Sequence, residues 1–79
     1  MSKLNLACRD LTTLERIDFP KDLIKLNISY NKLTSLQYCP PNLQELNCSY
    51  NQLTSLEHCP PTLKKLNCSK NKLTSLQYC

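Results

Sequence analysis

Leucine recurs along this chain at fixed positions within a twenty-residue period. Residues 23–42, 43–62 and 63–79 align without a gap on the pattern L-x-x-L-x-[IC]-S-x-N-x-L-T-S-L-x-x-C-P-P-x, with the last copy ending at its Cys. A fixed short period is typical of a solenoid, in which each repeat forms one coil that stacks on the next. The sequence therefore predicts a single solenoid domain.

Within one repeat, apolar and polar residues alternate over a short segment. Leu46 and Cys48 are interleaved with Glu45, Asn47 and Ser49. A period of two predicts a short half-buried strand. We expect the two apolar side chains to point into the core and the three polar ones to lie on the outer face of the sheet.

Stacking of the repeats predicts columns of equivalent side chains, because parallel strands pair about 4.8 Å apart. The expected leucine columns are Leu26, Leu46 and Leu66, then Leu33, Leu53 and Leu73, then Leu36, Leu56 and Leu76. An asparagine follows each strand, and its amide can bond backbone groups left unpaired at a bend. The predicted structural asparagine ladder consists of Asn31, Asn51 and Asn71.

The opposite side of each coil carries a Cys-Pro-Pro segment. Paired prolines exclude regular helix, so this convex side is expected to be extended or 3-10 with little α-helix. Residues 1–22 form a degenerate first coil, in which Arg9 replaces the ladder asparagine. Its spacer is two residues longer, so Asp18–Lys21 is expected to bulge. The prediction is about four coils: 1–22, 23–42, 43–62 and 63–79.

These positions resemble the leucine-rich-repeat proteins. The segment L-x-x-L-x-[IC]-x-x-N-x-L occurs at 23–33, 43–53 and 63–73. The repeat length is similar to the short bacterial subclass of secreted effectors, and the Cys-Ser-x-Asn-x-Leu arrays are similar to those of giant amoebal viruses. The departures from the bacterial pattern are Gln37, Glu57 and Gln77 in place of proline, and Cys39, Cys59 and Cys79 in place of its last leucine. The resemblance implies an α/β-type solenoid of short parallel strands that serves as a protein-binding scaffold, and it names no partner.

The six cysteines raise the question of metal or redox chemistry. The nearest two are nine residues apart, which lacks the close pairs of most metal sites. Cys48 and Cys68 occupy the position of Ile28, so we expect small buried hydrophobes. His58 is the only histidine and aligns with tyrosines. We therefore expect no catalytic residue, no metal and no cofactor.

Net charge and targeting features limit which partners and which cellular location are expected. The net charge is +4, and Lys64, Lys65, Lys70 and Lys72 have no acidic neighbour from His58 onward. These lysines could steer the chain to nucleic acid, but an arginine or stacking platform is missing, so a solvated edge is expected instead. No stretch approaches the ~20 apolar residues of a membrane span, and the amino terminus lacks a signal peptide. We expect a cytoplasmic protein, in the host cytoplasm if it derives from a virus or effector.

The candidate protein-binding face is the outer side of the strands, with adjacent Tyr30 and Tyr50 as rigid contacts. Its expected members are Lys25, Asn27, Tyr30, Glu45, Asn47, Tyr50, Lys65, Asn67 and Lys70. The alternative is that these are only consensus residues of the repeat. Four strands expose roughly 300–400 Å², whereas a standard interface takes about 800 Å² per partner. A partner would wrap onto the flanks or bind weakly.

The two functional hypotheses are an interaction scaffold and a structural protein. In the second, the Leu63–Cys79 edge pairs with another copy, since an uncovered terminal coil is costly in a stack of nearest neighbours. A truncated array without a ligand of its own is the third possibility.

Overall fold

The chain forms one parallel sheet, seen in a computed structural model that describes residues 2–73. Its strands are β1 (Ser2–Asn5), β2 (Leu23–Asn27), β3 (Glu45–Asn47) and β4 (Lys65–Asn67). They lie in the order β1-β2-β3-β4, so each strand pairs with the next one along the chain. The described residues contain no helix. This arrangement confirms the predicted solenoid of short parallel strands.

The pairing register follows the sequence repeat. Leu26 of β2 pairs with Leu46 of β3, which pairs in turn with Leu66 of β4. Between β1 and β2 the register shifts once, because Ser2 pairs with Leu23 whereas the next pair is two residues further along β2. From that point on, residues of the first repeat match the second with an offset of 22, as in Leu4 with Leu26.

Leucine fills the interior in columns, as the period predicted. The fully buried side chains are Leu14, Leu23, Ile28, Leu33, Leu36, Leu43, Cys48, Leu53 and Leu56, each at most 2% exposed. Burial of one such leucine stabilises the fold by about 1.5–3 kcal/mol. Leu66 and Leu73 are half-buried against this core. The predicted members Leu76 and Cys79 lie outside the described residues.

The side opposite the strands is built from single tight turns. The backbone N–H of Cys39 donates to the carbonyl oxygen of Leu36 at 3.0 Å, and that of Cys59 donates to Leu56 at 2.9 Å. Each bond spans three residues, as in a 3-10 helix, but the pattern ends after one turn. Proline follows both cysteines directly, and its missing N–H and fixed φ prevent continuation. The convex side therefore stays short and without regular helix.

Each ladder asparagine joins two consecutive repeats. The Asn51 Oδ1 accepts the backbone N–H of Leu33 at 3.0 Å, and its Nδ2 donates to the carbonyl oxygen of Ile28 at 3.0 Å, both in the preceding repeat. The same Nδ2 lies 3.1 Å from the carbonyl oxygen of Cys48 in its own repeat. Asn51 is only 7% exposed. One buried amide thus satisfies backbone groups that the bend leaves without strand partners.

The neighbouring ladder positions repeat this geometry. Asn31 accepts backbone N–H groups from Arg9 at 3.0 Å and Leu11 at 2.9 Å. Asn71 accepts from Leu53 at 3.0 Å, and its Nδ2 donates back to the preceding repeat. Asn31 is as buried as Asn51, whereas Asn71 is half-buried. The connection between repeats is therefore the same along the sheet and differs only in its contact with water.

We expect Asn51→Ala to lower the free energy of unfolding by about 2–4 kcal/mol, because a buried donor or acceptor left unpaired costs about 1–3 kcal/mol. Urea denaturation would measure the change. The matched control is Asn71→Ala, which removes equivalent hydrogen bonds at a position open to water and should cost clearly less. Equal losses in the two variants would show that burial of the ladder does not set its contribution.

Candidate functional site

A column of charged side chains runs across all four strands on the outer face of the sheet. The register aligns Lys3, Lys25, Glu45 and Lys65. Lys25 Nζ lies 3.0 Å from Glu45 Oε2, and both side chains are about one-third exposed. The hydrogen bond from Lys25 lowers the pKa of the Glu45 carboxyl, and the charges of Lys65 and Lys3 act in the same direction. The column combines three cations with one carboxylate.

A second column consists of the asparagines two residues further along each strand. Asn27 Oδ1 accepts the backbone N–H of Ser29 at 3.0 Å and its hydroxyl at 2.7 Å. Asn47 binds Ser49 in the same way at 3.1 and 2.7 Å. Because an N–H must donate to oxygen, these contacts also fix which end of each amide is Oδ1.

Ser29 and Ser49 are therefore not part of the outer face, and our prediction for Ser49 is wrong. Ser29 and Ser49 are each 4% exposed. Their hydroxyls fold back onto the preceding asparagines at the end of the strand, which is a local turn of the Asx type. This gives a structural reason why asparagine and serine are identical in all three repeats.

A groove of about 510 Å³ lies along the sheet between these two columns. The leucine positions of the four strands line it, with the lysine-rich column on one flank and the asparagine column on the other. The groove runs across the strands, parallel to the direction in which the repeats stack. A partner in the groove would therefore contact every described repeat in turn.

The residue before each ladder position has left-handed backbone. The φ angles are 59° at Cys8, 56° at Tyr30, 56° at Tyr50 and 57° at Lys70. For residues other than glycine this conformation costs about 1–2 kcal/mol, and the chain contains no glycine. The asparagine was expected at the bend, and the unusual φ lies one residue before it. The signal was hidden because tyrosine and lysine are not typical of that region.

Tyr30 and Tyr50 stack directly on each other. Their ring centroids lie 4.3 Å apart with an angle of 8° between the planes. This separation is close to the ~4.8 Å between parallel strands, so the register itself brings the rings together. The rings stay 54% and 44% exposed. Desolvation in this contact raises the pKa of Tyr30, and the neighbouring Tyr50 raises it further.

The predicted face residues form three columns of equivalent positions, two on the strands and one at the left-handed residue that follows each strand. They are Lys25, Glu45 and Lys65, then Asn27, Asn47 and Asn67, then Tyr30, Tyr50 and Lys70. The prediction missed the members from the first repeat, namely Lys3, Asn5 and Cys8. Extending the alignment of Leu4 with Leu26 in both directions along the first repeat would have found them.

Two of the cysteines, Cys39 and Cys48, have thiols of low reactivity. Burial raises the pKa of Cys39 and Cys48 to about 12, and the charges of neighbouring thiols add to the effect. Both thiols are therefore protonated at neutral pH, and a protonated thiol is a poor nucleophile. Within residues 2–73, no three His, Cys, Asp or Glu side chains come close enough to hold a metal ion.

Comparison with known proteins agrees with this fold. Residues 41–78 match the family described as Leucine Rich repeats (2 copies). No curated protein and no solved structure matches the chain. The match covers β3 and β4 and supports a leucine-rich-repeat protein, a class that commonly mediates protein–protein interaction. Across residues 2–73, no helix has the length and apolar character needed to cross a membrane.

Lys70→Gly is expected to raise the free energy of unfolding by about 1 kcal/mol, because glycine adopts positive φ without the clash of a Cβ atom. The control is Lys72→Gly, at an exposed lysine outside the positive-φ residues. There the greater freedom of glycine in the unfolded chain should lower stability. Thermal melting measures whether each variant is more or less stable than the wild type. A lower melting temperature for Lys70→Gly would contradict the expected gain.

Proposed function

We propose that this chain is a non-enzymatic scaffold that binds a protein through the strand face. The observation that carries the proposal is the exposed Tyr30–Tyr50 stack, whose rings follow three residues after the asparagines that line the groove. Aromatic side chains with few rotatable bonds lose little entropy on binding and are enriched at energetically important interface positions. The ladder holds this surface in one shape before a partner arrives.

The charged column and the tyrosine column are among the positions that vary between repeats, and we assign specificity to these two. The asparagine and serine columns are committed to internal hydrogen bonds. The charged column and the tyrosine column change from repeat to repeat, and they flank the asparagines. The variable columns are Lys3, Lys25, Glu45 and Lys65, and Cys8, Tyr30, Tyr50 and Lys70. A partner would read these two columns while the asparagines between them stay constant.

Enzymatic and nucleic-acid functions have less support. The buried thiols are protonated at neutral pH, and His58 is exposed on the turn beside Cys59. The cations that line the groove are lysines and not arginines, and the lining also includes the carboxylate of Glu45. The twenty-residue subclass, the coil boundaries and the cytoplasmic location stay predictions from sequence.

The test removes one ring without straining the backbone. Tyr50→Asn keeps a residue that tolerates positive φ, and its matched control is Tyr38→Asn. Tyr38 is also left-handed, with φ 72°, and is 53% exposed, but it lies in the Leu36–Cys39 turn away from the strands. We expect proteins captured by the wild type to be depleted about thirtyfold with Tyr50→Asn, the effect of a typical hot spot of about 2 kcal/mol.

Quantitative mass spectrometry of the captured proteins provides the measurement, and the melting temperature of each variant verifies its fold. The control Tyr38→Asn should capture the same proteins as the wild type. Equal capture by all three proteins would count against the strand face as the binding surface.

Self-association is the second candidate. Within residues 2–73, β4 pairs only with β3. Leu63 and Leu66 are half-buried there, whereas their equivalents Leu43 and Leu46 are buried. Residues 74–79 of the proposed Leu63–Cys79 edge lie outside the described residues. Another copy that pairs with β4 would extend the sheet and cover these leucines.

Sedimentation velocity over a hundredfold concentration range in reducing buffer tests this alternative. Self-association predicts that dimers or longer species increase with concentration. Monomer throughout the range would exclude it and leave the strand face as the binding surface.

A further inference from the structure

We propose that the groove between the lysine-rich and asparagine columns binds an extended acidic peptide segment whose two carboxylates lie four residues apart. The inference rests on the proposed protein-binding function and adds the chemistry of the partner. Three observations carry it: the hydrogen-bonding character of the groove, the position of its uncompensated charges, and the spacing between them.

The polar groups that flank the groove are almost all donors. Asn27 and Asn47 use their Oδ1 atoms for the serines, and within the described part of the chain their Nδ2 groups donate no hydrogen bond. On the asparagine flank of the groove, these Nδ2 groups are therefore available as donors to a ligand. The other flank carries lysine ammonium groups, which can only donate. Glu45 is the one carboxylate in the lining, and it is engaged by Lys25. A partner that satisfies this groove must be rich in acceptors.

The uncompensated charge lies at the two ends of the charged column. Lys25 and Glu45 neutralise each other at its centre. Lys3 and Lys65 flank this pair, and within residues 2–73 neither forms an ion pair. Along its length the groove is therefore positive at Lys3, neutral at the Lys25–Glu45 pair and positive at Lys65. An acidic ligand fits if its negative charges are separated by a neutral centre.

The separation between the two ends matches an extended peptide. Lys3 and Lys65 are three strand spacings apart, which is about 14 Å at about 4.8 Å per strand. In an extended peptide, side chains i and i+4 point to the same side and lie about 13–14 Å apart at 3.2–3.4 Å per residue. Residue i+2 then faces the Lys25–Glu45 pair. Peptide carbonyl groups along the opposite edge can accept from the asparagine amides.

Charge spacing also favours a peptide over a nucleic acid. A nucleic acid carries a phosphate on every nucleotide, so a strand in the groove would bring negative charge against Glu45 as well as against the two lysines. Like charges placed opposite each other oppose binding. A peptide avoids this repulsion by placing an uncharged side chain at its centre.

Fluorescence polarisation with labelled peptides tests the inference on the whole chain. The probe is Thr-Glu-Thr-Asn-Thr-Glu-Thr, and its isomer Thr-Asn-Thr-Glu-Glu-Thr-Thr has the same composition with adjacent carboxylates. We expect the spaced peptide to bind about tenfold more tightly than the isomer, because only it reaches both lysines. Equal affinity for the two peptides would overturn the proposed spacing.

Two double variants of equal net charge locate the site. Lys3→Gln with Lys65→Gln removes both ends of the column and should weaken binding of the spaced peptide about tenfold. Lys64→Gln with Lys72→Gln removes two exposed lysines outside the groove lining and should leave the affinity within about twofold. Equal losses in the two variants would indicate unspecific attraction and overturn the inference.

A third comparison separates the partner class from the proposed function. A peptide with lysine in place of both glutamates should not bind, and a single-stranded oligothymidine should bind more weakly than the spaced peptide. Tighter binding of either ligand would overturn the inference. If the acidic peptide fails to bind while Tyr50→Asn still loses its captured proteins, the acidic partner is wrong and the scaffold function stands. If neither effect is seen, both proposals fail.

Discussion

The fold depends on the buried asparagine amide that joins each repeat to the one before it. A parallel sheet pairs only the strand residues, and the chain then turns away with backbone groups that have no strand partner. In Asn51 one side chain supplies both an acceptor and a donor for these groups, on two different repeats. The leucine columns supply apolar burial, but apolar contact is not directional and does not fix how one repeat is placed along the next. The hydrogen bonds of the amide are directional, because its oxygen and nitrogen must meet particular atoms, so the amide holds the register that aligns every other column.

The proposed binding surface follows from that register. The turn into the ladder requires left-handed backbone at the preceding residue, and in this chain tyrosine occupies that position in two consecutive repeats. Ring stacking at a centroid distance of 4.3 Å is the result of placing two such residues one strand spacing apart. The contact between the rings and their hydrogen-bonded backbone groups, Tyr30 N–H to Ser49 and Tyr50 N–H to Ser69, offset part of the cost of that conformation. The left-handed backbone of Tyr30 and Tyr50 and the exposure of their rings therefore both follow from their position directly before a ladder asparagine.

Repetition in this chain has two different meanings. Positions that are identical between repeats, such as Asn47 and Ser49, are used by the fold itself, since the amide oxygen binds the serine backbone and hydroxyl. Positions that differ, such as Lys25 and Glu45, face the groove and pair across strands. From sequence, the alternative was that the residues of the face are only consensus residues of the repeat. The hydrogen bonds show that these columns have a structural role, and the proposed function assigns recognition to the variable charged and tyrosine columns.

The sequence by itself determined the class of fold, the inward leucines and the positions of the strands, because a twenty-residue period allows only stacking and an alternation of two specifies which side chains point inward. The sequence also predicted which residues of the candidate face are neighbours, since residues one period apart lie side by side in a stack. Tertiary structure alone decided the burial of Ser29 and Ser49 and the left-handed backbone at the tyrosines. The physical reason is that these features depend on hydrogen-bond directions, which are not visible in a pattern of apolar and polar residues.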